Sequence, residues 1–246
     1  MCAAFVLAVG AVSHGQDKDF TKLKKDLVKA ISEDDEKDVE KALVEVLVYG
    51  GADAVKLIVA LIEKMPGAQD SMYWRLVKGV CTVTDRAAMD ALAEAVVGHS
   101  ADSLGRDLLF ALQANRCRNA AIVHQAVLEK CPRDMQKMAI ESLVNIEENT
   151  AVDALIAALK NVRDQAVQAE IVDALRILTR ADCGEKAQDW EKWWLVSREQ
   201  GLGLPKEEGE KHGGTGTVVD ELERYRRDRL FGAEAIKLKA LVVTDY

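Results

Sequence analysis

From about Phe20 to Thr179, apolar residues recur at i, i+3, i+4 and i+7, the stripe of a helix with one buried side. The clearest stretch is AVDALIAALKNVRDQAVQAEIVDALRILT, Ala151 to Thr179. Val152, Leu155, Ile156 and Leu159 make one stripe; Val167, Ile171, Ala174, Leu175 and Leu178 make a second beyond a short polar break. Thr150 and Asp153 form the T-x-x-D signature of a capped helix start. The pattern predicts two helices folded back on each other.

The second stripe has counterparts upstream in EKALVEVLVYG, WRLVKGVCTV, GRDLLFALQAN and MAIESLVNI. Aligned on Leu47, Val80, Leu112, Leu143 and Leu175, the steps are 33, 32, 31 and 32 residues. The first helices echo one another too: LIEKMPG and LEKCPRD put Pro66 and Pro132 two periods apart, where proline ends the first helix of each pair. A hairpin with one apolar stripe must be covered by neighbours, so such units occur in rows. The expected fold is all-α, an α-solenoid of about five helical hairpins, with the charged KLKKD of the first unit facing solvent. Composition agrees: aromatics are 5%, proline occurs three times, and Ala, Leu, Val, Glu and Lys dominate.

Ala151 to Thr179 resembles a HEAT-type repeat of the short bacterial kind, grouped with phycobilisome-lyase-like HEAT repeats. The resemblance covers roughly Asp19 to Thr179 and is strongest in the last two units. It implies a scaffold that binds a protein partner on the solenoid surface. The lyase activity in the family name belongs to a minority of members.

After the repeats, Trp190, Trp193 and Trp194 fall at i, i+3, i+4 on one helix face. They suit a helix that lays large rings over the open end of the last repeat; an exposed aromatic hot spot is the competing reading. This ending resembles the termination of HEAT arrays in bacterial envelope proteins. The solenoid with its capping helix is assigned to residues 17–200, and the glycine-rich, charged residues 201–216 read as a linker. Residues 217–246 read as a poorly structured tail holding a short helix and an isolated strand, with two readings open: the start of a truncated domain, or a disordered end. FGAEAIKLKALVVTDY is similar to the entry into von Willebrand A-type domains, where a D-x-S-x-S motif binds metal. Asp245 matches the aspartate of that motif, but the serines are absent, so no metal site is assigned.

The apolar run Cys2–Val12, with small residues at Ala11 and Ser13, reads as a signal peptide within residues 1–16. The expected location is the periplasm or cell envelope; a cytoplasmic chain is the alternative. The run is too short to span a membrane. A net charge of −8 offers no field for phosphate backbones, so nucleic acid is not an expected partner. Cys117 and Cys131 fall at opposite ends of one predicted helix, too far apart for a disulfide.

Cys117, His124 and Cys131 are spaced by seven, on one side of a helix, yet seven residues advance about 10.5 Å and one zinc cannot collect all three. Core or groove positions are expected for each. His99 reads as an exposed residue at a helix end. No phosphate loop, nucleophile elbow or H-E-x-x-H motif occurs. Hence no catalytic, cofactor-binding or metal-ligating residue is assigned, and no cofactor is expected. The function expected is a non-enzymatic protein-protein interaction scaffold. The alternatives are a truncated HEAT plus von Willebrand A-type adhesion protein and a HEAT-type enzyme such as a lyase.

Overall fold

The structure, a computed structural model, describes residues 20–199 apart from Pro66, Gln69 and Glu147. The signal-peptide, linker, short-helix and strand assignments, together with Pro66 and Asp245, lie outside the described residues.

The described chain is all-helical, with ten helices: α1 (Phe20–Glu33), α2 (Glu36–Ile62), α3 (Ser71–Val80), α4 (Arg86–Gly98), α5 (Ser103–Leu112), α6 (Ala120–Lys130), α7 (Arg133–Asn145), α8 (Asn149–Asn161), α9 (Gln165–Thr179) and α10 (Ala187–Glu199). Aspartate begins five of them. The carboxylates of Asp35, Asp70, Asp85, Asp102 and Asp164 accept backbone N–H groups from the first turns of α2, α3, α4, α5 and α9. These groups would otherwise be orphaned.

The predicted T-x-x-D start does not form. Helix α8 begins at Asn149 with Glu148 at the N-cap and no side-chain cap bond, so Thr150 falls inside the helix with its buried hydroxyl unpartnered. Asp153 turns instead to α10, accepting from Trp194 Nε1 at 2.8 Å and Arg198 at 3.0 Å. A stronger acceptor role across the helix pair outcompetes the local cap.

Helix α2 is longer than the pattern predicts because two helices run together across Gly50 and Gly51. Gly51 has φ of 47° and ψ of −125°, a backbone that side-chain-bearing residues avoid. A Cβ on Gly50 would strike the Phe20 ring, so the first helix seats closely against this junction only because Gly50 has none.

Buried positions repeat at the predicted spacing. Val39, Met72, Leu104, Met135 and Val167 are buried, as are Leu43, Leu76, Leu108, Ala139 and Ile171 four residues further on. The alternate helices keep their own register: Ala54, Ala88, Ala120 and Ala151 are buried, and Ile58, Leu92, His124 and Leu155 follow them. Of the five positions used for alignment, Val80, Leu112, Leu143 and Leu175 are buried, whereas Leu47 is only half-buried. Packing follows the same order. Helices α2, α4, α6 and α8 pack in succession, and so do α3, α5, α7 and α9; α1 packs on α2, and α10 on α8. One hydrophobic cluster runs through the described helices.

Candidate functional site

The helices α3, α5, α7 and α9, with the first half of α2, present equivalent outward positions at the repeat spacing. One row reads Lys41, Trp74, Arg106, Lys137, Ala169; the next, four residues on, reads Glu45, Lys78, Phe110, Glu141, Asp173. None of the ten is buried. Ion pairs tie successive helices beside these rows: Arg75 to Glu36 (2.6 Å) and Glu40 (2.8 Å), Arg106 to Asp134 (3.1 Å), and both Arg133 and Lys137 to Glu170 (3.6 Å each). Between α3 and α5 the link is Tyr73 Oη donating to Asp107 at 2.6 Å. Burial, and then this carboxylate, push the Tyr73 phenol well above its ordinary value. Solvent-exposed pairs contribute about 0–1 kcal/mol each, so they set alignment more than stability.

His99 is half-buried rather than exposed. It is the C-cap of α4, with Nε2 2.9 Å from Glu63 and Nδ1 2.9 Å from Asp102. Burial alone would raise the Asp102 carboxyl; hydrogen bonds from His99, Gly105 and Leu104 hold it below the usual carboxylate range. Gly105 belongs to this corner, since a Cβ there would strike the His99 carbonyl. A histidine paired with an aspartate invites comparison with a catalytic dyad. Here the second ring nitrogen faces another carboxylate, so no lone pair points at a nucleophile. The arrangement clamps the end of α2 to the corner between α4 and α5.

The three residues spaced by seven are not brought together. Cys117 lies in the loop before α6, His124 is fully buried within it, and Cys131 is its C-cap. Among the described residues no group of three His, Cys, Asp or Glu side chains could hold a metal ion. Among the described residues neither ring nitrogen of His124 has a hydrogen-bond partner, and burial pushes its pKa down to about 3. Cys81, Cys117, Cys131 and Cys183 are unpaired thiols. Burial raises the pKa of Cys81, Cys131 and Cys183, the opposite of what a thiolate nucleophile needs.

The tryptophans of α10 face inward. Trp190 and Trp194 are buried and Trp193 is half-buried against the core. Their indole donors are satisfied: Trp190 Nε1 reaches the Gly184 carbonyl at 2.8 Å and Trp194 Nε1 reaches Asp153. Trp74 and Phe110 instead meet edge to face, 6.5 Å apart, on the outward rows of α3 and α5. Sequence reasoning passed over this pair. Its signal was there in the aligned repeats, as the two aromatic residues at positions otherwise filled by charges and one alanine. No helix among the described residues is long and apolar enough to cross a membrane. The chain matches no family model, no curated protein and no solved structure.

Proposed function

We propose that this chain is an α-solenoid of five HEAT-like hairpins that acts as a non-enzymatic scaffold, holding a protein partner on its outward helical rows. The observation that carries the reading is the recurrence of buried residues at a spacing near 32 in both helices of each unit, from Leu43 through Leu76, Leu108 and Ala139 to Ile171. A stack of equivalent hairpins offers a long regular face, and equivalent outward positions are free to vary without disturbing the core. In this reading α10 is the terminal cap: its buried indoles replace the apolar cover that a sixth hairpin would give α8. The Cys2–Val12 run and the small residues Ala11 and Ser13 extend the proposal to export, for which an intact mass matching cleavage after Ser13 is expected.

The function is tested by crosslinking mass spectrometry of the tagged full chain in its native cells. The expected result is a reproducible protein partner crosslinked through lysines of the outward rows, Lys41, Lys78 and Lys137. Crosslinks confined to the opposite helices, or no reproducible partner, would overturn it.

A further inference from the structure

Seven large hydrophobic side chains are exposed among the described residues, and their positions separate into two kinds. Val28, Val44, Val48 and Tyr49 belong to the first two helices, and Leu195 and Val196 to the last, where the described stack has no further helix to cover them. Val44 shows this directly: its equivalents Val77, Leu109, Ile140 and Val172 are all buried. Phe110, 54% exposed, is the exception, because α5 packs on α3 on one side and on α7 on the other. Its exposure is a property of the face and not of an end.

Phe110 does not stand alone. Trp74, one unit earlier and half-exposed, meets it edge to face and is itself fixed by an indole N–H to the Ala68 carbonyl at 3.0 Å. Aromatic rings held rigidly on a face, with polar residues around them, are the residue type and setting in which interface energy concentrates. The charges around the pair are unequally committed. Glu40 is engaged by Arg75, Asp107 by Tyr73, and Asp134 by Arg106. Lys41, the equivalent of Trp74 one unit earlier, and Lys78, the equivalent of Phe110 one unit earlier, are exposed and form no ion pair with a described residue. In the two rows that carry the rings, Glu45, Glu141 and Asp173 have partners, so the uncommitted charge there is positive, although the chain as a whole carries −8.

We propose that Trp74 and Phe110, with Lys41 and Lys78, form the docking surface of the scaffold for an acidic peptide segment bearing an aromatic or branched aliphatic anchor. The proposal rests on the scaffold reading above. The anchor packs on the two rings while carboxylates of the same segment meet the two lysines, so affinity comes from the apolar contact and orientation from the charges.

The test uses the full chain and two series of fluorescein-labelled 15-residue peptides, each with a central Leu, Phe or Trp, one flanked by glutamates and the other by lysines. Fluorescence anisotropy at low and physiological salt reads binding. The acidic series is expected to bind, more weakly at high salt, and the basic series not to bind. Phe110→Ala should weaken binding at least 10-fold while the thermal midpoint falls by only a few degrees, because the ring is half exposed and its loss removes little beyond the edge-to-face contact with Trp74. Lys78→Glu should remove most of the salt dependence, and Leu195→Ala, at the stack's end, should change nothing. Equal binding of the two series, no binding by any acidic peptide, or binding indifferent to Phe110→Ala would overturn the proposal. Crosslinking the native partner to the Phe110→Ala, Lys78→Glu chain separates this failure from that of the scaffold reading. A partner still held leaves the scaffold standing and removes this surface, whereas a chain that never had a partner removes both.

Discussion

The first and last hairpins carry nearly the same apolar pattern and bury it differently. Val39, Leu43, Val44 and Leu47 correspond to Val167, Ile171, Val172 and Leu175. The latter four are buried, whereas Val44 is 40% exposed and Leu47 half-buried. The side chains are closely similar; their neighbours are not. Helix α9 has α7 and α8 packed against it, and α10 packs on α8, while α1 and the first half of α2 end the described stack. In the proposed stack, stability belongs to interfaces between hairpins as much as to the hairpins themselves.

The sharpest way to break the comparison is to truncate equivalent residues. Leu175→Ala is expected to cost about 2–5 kcal/mol, as for other fully buried leucines. Leu47→Ala should cost less than about 1.5 kcal/mol, because part of that side chain is already in water. Urea unfolding of both variants measures the difference, and equal losses would show that cover by neighbouring helices does not decide what the shared position contributes.

A smaller effect sharpens the comparison within the alternate helices. Ile58, Leu92 and Leu155 share a buried position with His124, whose two ring nitrogens bond to nothing among the described residues. Leaving such groups unsatisfied costs about 1–3 kcal/mol, so His124→Leu should stabilise the protein by roughly that amount at neutral pH. The pH dependence has a definite sign. Burial lowers the folded-state value to about 3, so between the ordinary histidine range and that value the unfolded chain binds a proton that the folded chain refuses. Stability is fully present above the unfolded value and is lost as pH falls towards 3. The gap between His124→Leu and the parent protein should therefore widen from pH 7 to pH 4, measured as the difference between their urea midpoints. A constant gap would show that His124 gains a partner in solution.

Much of this was legible in the sequence, for reasons that can be located. Period and core register follow from apolar stripes, which is why Val80, Leu112, Leu143 and Leu175 could be aligned before any coordinates. The shared helix face of Trp190, Trp193 and Trp194 was readable as well, from their i, i+3, i+4 spacing, but that spacing left open whether the face was covered. What escaped depended on partners distant in sequence. Asp153 looks like a capping residue until Arg198 and Trp194 arrive from 45 and 41 residues away. His99 looks like an exposed end residue until Glu63 and Asp102 close on both ring nitrogens. The Trp74–Phe110 pair needed the repeat alignment to be extended from buried positions to exposed ones.

The central claim is that the hairpins are interchangeable units of a stack, and the most direct measurement is to remove one. Excising residues 86–119 joins Asp85 to Ala120 and deletes α4 and α5 with their loops. In a stack, α2 and α3 then meet α6 and α7 through surfaces of the same register. The account predicts a protein whose circular dichroism loses only the helix removed and whose urea unfolding remains cooperative, with a lower midpoint. A shortened chain without a cooperative transition, or with helix lost well beyond the deleted segment, would contradict it.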